Sequence, residues 1–274
     1  MTDALPALTT RWSSRRRHPS RYWEVDMVRG VAIIMVVVYH LAWDLRALAG
    51  WDLELYTGFW HYFQHLTAGI FVFLVGLSLS ISYGRLRTRR QRDGILPRRG
   101  QPPALVRYVR RSLKLLVWAG LISLVTWLVL GQGYIQFGIL HFIAVSIVLA
   151  YPFLRWCRAN LLIGLALLLL GPWIARQSVQ TGWLIWLGLM PPGYYAVDYF
   201  PLIPWFGVVL LGVFAGNTFY AAGHRAFALP DWTDRPLVSP LRRLGQHTLT
   251  IYLVHQPVLI GLLLLAGVAD LTQL

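Results

Sequence analysis

The sequence predicts an all-α integral membrane protein: a bundle of about seven transmembrane helices with one short interfacial or re-entrant segment. Three observations predict it. First, 57% of the 274 residues are hydrophobic and 13% charged, with a mean hydropathy of +0.54. Soluble domains carry about 25% charge. Second, the apolar residues gather in runs near the roughly 20 residues that a membrane-crossing helix needs. Third, 25 basic residues face 11 acidic ones, and the arginines lie between the apolar runs. This pattern excludes a disordered chain, a disulfide scaffold and an ordinary soluble enzyme. It is the positive-inside signature rather than a nucleic-acid surface, so no nucleic-acid partner is expected. The length leaves room for one membrane domain at 23–267, a flexible basic tail at 1–22 and a short C-terminal tail at 268–274.

The spans are expected in order. Span one covers 27–45 and span two 60–83. An arginine-rich loop follows, holding Arg85, Arg87, Arg89, Arg90, Arg92, Arg98 and Arg99, with Pro97, Pro102 and Pro103 as helix breakers. Span three covers 113–130 and ends at a tight Gly-Gln-Gly turn. Spans four and five cover 135–154 and 160–174. The apolar stretch at 183–190 is too brief to cross and is the interfacial or re-entrant segment. Span six covers 202–220, a polar loop occupies 221–247, and span seven covers 249–266. Trp12, Trp51, Trp60, Trp173 and Trp183 fall near span edges, as interfacial aromatics do. Cys157 is the single cysteine, so no intrachain disulfide forms.

Charge orients the bundle. The N-terminal tail, the 84–111 loop, the Arg155/Arg158 turn and the 221–247 loop fall on one side, the cytoplasm. The other side carries only Arg46 and Arg176 in its loops. The expected orientation is therefore N-terminus cytoplasmic and C-terminus outside.

Ionisable residues inside a span are costly and mark a cavity or a partner. Span one has three: Arg29, His40 and Asp44. The eleven residues from Arg29 to His40 rotate a helix by about 20° beyond three turns and raise it by about 16 Å. The two side chains thus share a face, and Asp44, one turn further, joins them. A carboxylate one turn from an imidazole can fix its tautomer, so Asp44 is expected to orient His40. Asp26 and Arg29 are assigned to donor binding. His65, His141 and Asp198 map to the same outer half as His40 and are assigned to substrate binding. His255 is also assigned to substrate binding, at a depth different from that of His40; it either lines the inner vestibule or bonds a neighbouring helix. His61 and His65 form an i, i+4 pair without the acidic partner that a metal-binding helix motif carries, and no metal is expected. A reaction centre on the outer side with arginines on the inner side suits a long phosphorylated donor entering from the cytoplasm, because a guanidinium fork grips phosphate.

These residues also carry a family resemblance. The block RYWEVDMVRGVAIIMVVVYHLAWDL at 21–45 resembles the first-span signature of bacterial membrane proteins related to heparan-alpha-glucosaminide N-acetyltransferase. The blocks FGILHFIAVS, DYFPLIPWFGVVLLG and GQHTLTIYLVHQPVL are similar to the same group, and together the blocks cover most of 21–265. The arginine–histidine spacing, R-x10-H, is also similar to a motif of acyltransferase-3 type membrane enzymes; His40 matches its histidine and Arg29 its arginine. The resemblance implies acetyl-CoA as donor and transfer of acetyl across a bacterial cytoplasmic membrane to an amine or hydroxyl of a sugar or glycan-like acceptor. Membrane lipids surround such a protein, and homo-oligomers are compatible with it. His40 would act as general base or carry the acetyl group briefly. Two alternatives stay open on the residues alone: a haem-bearing electron carrier using the histidines of several spans, and a proton-coupled transporter. Matched histidine depth is needed for the first and internal repeats favour the second; neither is evident, and no haem is expected.

Overall fold

The computed structural model describes residues 21–92 and 104–269. Eight α-helices organise them: α1 (Trp23–Ala49), α2 (Gly58–Arg92), α3 (Ala104–Leu130), α4 (Ile139–Leu149), α5 (Arg158–Ile174), α6 (Leu202–Phe219), α7 (Val238–Gln246) and α8 (Thr248–Leu265). Short 3-10 turns sit at Pro152–Arg155, Gly182–Leu187 and Ala221–Gly223. The described residues contain no β-strand beyond one isolated bridge between Ser178 and Met190. The all-α membrane class expected from the sequence is what folds.

Five helices are long and apolar enough to cross a membrane: α1, α2, α3, α6 and α8. The fourth and fifth expected spans are also helical but shorter, at 11 and 17 residues. An 11-residue helix rises only about 16 Å. The stretch of 183–190 expected to be interfacial or re-entrant folds mostly as the 3-10 turn.

Two segments read as loops are helical instead. α2 continues through 84–92 to Arg92, because arginine is a good helix former and neither proline nor glycine follows Gly84 until Gly94. Arg98, Arg99 and the three prolines lie outside the described residues. The second is α7, inside the expected 221–247 loop. Val238, Leu241 and Leu244 recur at helical spacing, and Arg242 and Arg243 fall between them. α7 docks on α1 backbone to backbone. A Cβ on Gly30 would sit 1.9 Å from the Leu241 carbonyl oxygen, and one on Gly245 would sit 1.8 Å from that of Asp26. On another face of α1, Glu24 accepts hydrogen bonds from Arg225 Nη2 at 2.6 Å and from the Tyr220 hydroxyl at 2.9 Å.

The tight core runs through α2, α5 and α6. Lipid tails are as apolar as side chains, so membrane helices associate through close packing of small residues. Gly76 and Ser80 on α2 meet Gly212 and Gly216 on α6, both pairs at four-residue spacing. Gly164 on α5 faces Gly207 on α6. Val72, Val209, Val213 and Phe142 close this core completely. By contrast α3 and α8 are exposed over most of their apolar length, with Val117, Leu128, Val258 and Leu262 pointing outward. Such a continuous apolar surface is what lipid covers.

Glycine at these contacts is a steric requirement. A Cβ on Gly212 would fall 2.1 Å from the Phe73 carbonyl oxygen, whereas one on Gly120 of α3 meets nothing within 4 Å. Gly212→Ala is therefore expected to cost roughly 1–3 kcal/mol through overpacking. Gly120→Ala is expected to be neutral or stabilising, because alanine favours helix. Thermal unfolding of the two variants in detergent checks this; equal midpoints would contradict it.

Candidate active site

Beside the tight core, α1, α3, α4, α8 and the free face of α2 enclose a cavity of about 670 Å³. α1 contributes Arg29, Val36, Tyr39 and His40. Their recurrence at helical spacing makes one stripe. α2 contributes Gln64, Thr67, Phe71, Leu74 and Ser78, a second stripe at three- and four-residue steps. Arg107, Arg110, Arg111 and Lys114 of α3 border the end near Arg29. Asp198 and Tyr252 also line the cavity, as does the α7–α8 junction at Gln246 and Thr248. A second cavity of about 370 Å³ is ringed by Arg21, Arg29, Arg85, Arg89, Arg107 and Arg111. The two share Arg29, Ser78, Arg107 and Arg111 as walls.

Arg29 is held from two sides. Its Nη1 donates to Asp26 Oδ1 at 3.2 Å, and its Nη2 donates to Ser78 Oγ across the α1–α2 contact. Asp26 borders the second cavity, but its oxygens are committed to Arg29 and, at 3.3 Å, to Gln246 Nε2. The expectation that Asp26 contacts a donor directly is replaced by a supporting role: it keeps the guanidinium fixed. A free carboxylate there would also repel phosphate.

His40 lies on the cavity wall, with its Nδ1 2.9 Å from the Val36 carbonyl oxygen one turn back. A carbonyl only accepts, so Nδ1 carries the hydrogen and the neutral ring presents its lone pair at Nε2. Asp44 does not supply this orientation. It is fully buried, and its Oδ1 accepts from Gln256 Nε2 on α8 at 2.5 Å. The two groups share a face of α1, but α8 packs on that face and captures the carboxylate.

His255 does not sit at a different depth from His40. The two rings meet edge-on with centroids 4.7 Å apart. Gly30 and Gly245 hold α7 against α1, so α8 starts beside α1 and His255 arrives level with His40. Depth counted along span seven alone leaves out α7, which already enters the bundle beside α1. This direct contact also leaves no slot between these two rings for a haem plane. Among the described residues no group of three or more His, Cys, Asp or Glu is arranged to hold a metal ion.

Two other histidines point elsewhere. His65 is exposed, donates from Nδ1 to the His61 carbonyl at 2.8 Å and stacks near Trp205. One residue earlier, Gln64 takes the cavity position, since each step turns the helix by 100°. His141 turns to α3, where its Nε2 lies 3.5 Å from Ser123 Oγ. The assignment of His65 and His141 to a common substrate cavity does not match this geometry.

Asp198 does reach the cavity. Its Oδ2 accepts from the N–H of Ile139, the first residue of α4, at 3.0 Å. This satisfies one of the unpaired donors at the helix start. Glycine at 138 makes the approach feasible, because a Cβ there would stand 2.2 Å from the carboxylate oxygen. Backbone bonds from Val197 to Gly133 and from Phe200 to Phe137, at 2.9 and 3.0 Å, hold the segment in place. Burial pushes the Asp198 carboxyl up to about 6, against the opposing pull of the Ile139 N–H.

Fold and cavity together define an all-α integral membrane protein whose polar cleft joins an arginine-rich vestibule to a histidine. The family described as heparan-alpha-glucosaminide N-acetyltransferase, catalytic, matches residues 21–257, and the chain belongs to that family. It is accordingly a transmembrane enzyme of the acetyltransferase type. No curated protein and no solved structure matches the chain. Sequence reasoning missed Ser78, Gln64 and Arg111 as individual wall residues. The signal for the first two was present in the polar positions of α2 at helical spacing.

The raised Asp198 carboxyl makes a pH prediction. A carboxyl that holds its proton more tightly when folded contributes stability at low pH and loses it as pH rises from its ordinary 3.8 through about 6. Asp198→Asn keeps an acceptor for Ile139 and removes the titration. The melting temperature of wild type minus that of D198N is expected to fall as pH is raised across this window. A constant difference would contradict it.

Proposed function

We propose that the protein transfers the acetyl group of cytoplasmic acetyl-CoA to an amine or hydroxyl of a sugar or glycan-like acceptor on the outer side of a bacterial cytoplasmic membrane. The observation that carries this reading is one cavity bordered by a cluster of arginines at one end and by His40 at the other. The rise of about 16 Å between Arg29 and His40 is comparable to an extended pantetheine arm. Arg29, Arg107 and Arg111 bind the donor phosphates, with Asp26 and Ser78 fixing the first of them. Leu74, Phe71 and Val36 line the path of the arm. His40 Nε2 takes the proton of the attacking amine or hydroxyl, while the new bond to the acetyl carbon forms and the carbon–sulfur bond breaks. Its electron pair goes to sulfur, so the thiolate leaves toward the arginines. Asp198, Gln64 and Tyr252 offer polar contacts to the acceptor at the end away from the arginines.

The arginine-rich face is the cytoplasmic one in this reading, which keeps the N-terminus inside and the C-terminus outside. The surrounding lipids cover the exposed faces of α3 and α8.

Binding of labelled acetyl-CoA to purified protein in detergent, followed by transfer to a panel of amino sugars including glucosamine, tests this. Arg29→Ala is expected to weaken binding at least tenfold, as loss of a charged hydrogen bond worth about 1.5–3 kcal/mol implies. Arg111→Ala, which does not strand Asp26, is expected to weaken it several-fold. His40→Ala is expected to retain binding and abolish transfer. Absence of saturable binding to the wild type, or transfer that survives in H40A, would overturn the assignment.

A further inference from the structure

The α1–α8 seam beside the cavity contains polar groups that the reaction above does not use. His255 and Asp44 are buried there, and Gln256 bonds Asp44. His255 Nδ1 lies 2.7 Å from the Tyr252 carbonyl oxygen. By the argument applied to His40, its Nδ1 carries the hydrogen and its Nε2 presents a lone pair. Both histidines are thus locked in the same tautomer by their own helices. Three buried acceptors in this seam have no hydrogen-bond partner: His255 Nε2, Asp44 Oδ2 and Gln256 Oε1. Buried polar atoms are ordinarily satisfied, and leaving several acceptors together without a donor is unfavourable.

One proton on His255 Nε2 turns one of these three acceptors into a donor. We propose that the α1–α8 seam is a proton-holding site for the transfer reaction, in which His255 is the positioning partner of His40. The proposal rests on the acyl-transfer reading of the cavity. In the reaction, the acceptor's heteroatom bonds to the acetyl carbon, the carbon–sulfur pair goes to sulfur, and the acceptor's proton goes to His40 Nε2. In this scheme that proton then moves across the ring contact, 4.7 Å between centroids, to His255 Nε2, which has no hydrogen-bond partner while both rings are neutral. There it turns an unpartnered acceptor into a donor and adds a positive charge to the seam that holds the buried Asp44 carboxylate. His40 regains its lone pair for the next turnover. The thiolate leaves on the arginine side and the proton on the other, so substrates and products balance without a further reactant. The titratable groups around the pair are Tyr39 and Asp44 on α1 and Tyr252 on α8, with Asp198 across the cavity.

The same seam explains why His255, which is not on the cavity wall, is inside the membrane domain at all. A purely structural role is met by its bond to the Tyr252 carbonyl. An asparagine at 255 offers a side-chain N–H for that bond and has no titratable nitrogen. His255→Asn therefore separates the two roles.

The experiment measures steady-state transfer from labelled acetyl-CoA to glucosamine, or to whichever amino sugar of the panel the wild type accepts, over a range of pH. It also measures acetyl-CoA binding in the same preparations. Wild type is expected to lose kcat on the acid side with a slope of about two, because both imidazoles must be free of the proton. H255N is expected to lose at least tenfold in kcat, to keep its KM for acetyl-CoA within about twofold, and to show an acid slope of about one. Asp44→Asn retains an oxygen for Gln256 and removes the charge. It is expected to lower kcat several-fold with the same KM, and it decides the matter if H255N does not fold. Wild-type kcat and acid slope in H255N, or in D44N where H255N cannot be purified, would overturn the proton-holding role and leave the acyl-transfer reading intact. A wild type that binds no acetyl-CoA would overturn both.

Discussion

A guanidinium placed inside a helical membrane bundle needs a counter-charge, a polar neighbour and access to water or ligand. Arg29 has all three. Asp26, one turn below it, neutralises it, and Ser78 accepts from it across the α1–α2 contact. The cavity wall supplies the third. This one anchored charge dictates much else. α7 must pack against α1 so that Gln246 can complete Asp26, and that packing demands glycine at 30 and at 245. α8 then starts from a defined height, and its His255 and Gln256 arrive opposite His40 and Asp44.

The division between dense core and cavity follows from residue size. Small residues draw α2, α5 and α6 into backbone contact on one side of the bundle. α1, α3, α4 and α8 carry larger and polar residues toward the other face of α2, and there the helices stand apart. The polar lining is graded along this space. Arginines crowd one end, apolar residues such as Leu74, Val75 and Ile143 occupy the middle, and His40 and Asp198 border the space as well. A ligand with an anionic head, a slender middle and a reactive tip matches such a gradient, which is the basis on which an acyl thioester of a nucleotide is proposed as its occupant. Membership of the heparan-alpha-glucosaminide N-acetyltransferase family supplies the transfer chemistry in general terms; the direction proposed for it rests on the gradient.

Much of this was legible in the residues and some was not. Arg29 and His40 share a face because eleven steps of 100° nearly close three turns, and that arithmetic needs no neighbour. Each expected span contains a helix, because a long apolar run in lipid must satisfy its backbone internally, but only five of these helices are long and apolar enough to cross and that within 135–154 is only 11 residues long. What failed depends on partners. Asp44 lies on the face expected, but α8, remote in sequence, takes its hydrogen bond. His65 and Gln64 differ by a single residue, and only the packing of α2 decides which looks inward. The height of His255 depends on α7, a nine-residue helix too short and too charged to stand out from a polar loop. Helix faces were therefore readable from sequence, whereas register between helices was set by glycine contacts that no local pattern reveals.

The central claim is that the arginine cluster and His40 bind opposite ends of one molecule. An experimental density map of the protein with a non-transferable thioether analogue of acetyl-CoA tests it most directly. The account predicts phosphate density in contact with Arg29, Arg107 and Arg111 and the sulfur position within reach of His40 Nε2. Density for the analogue elsewhere, or an arm that turns away from α1 before reaching His40, would contradict it.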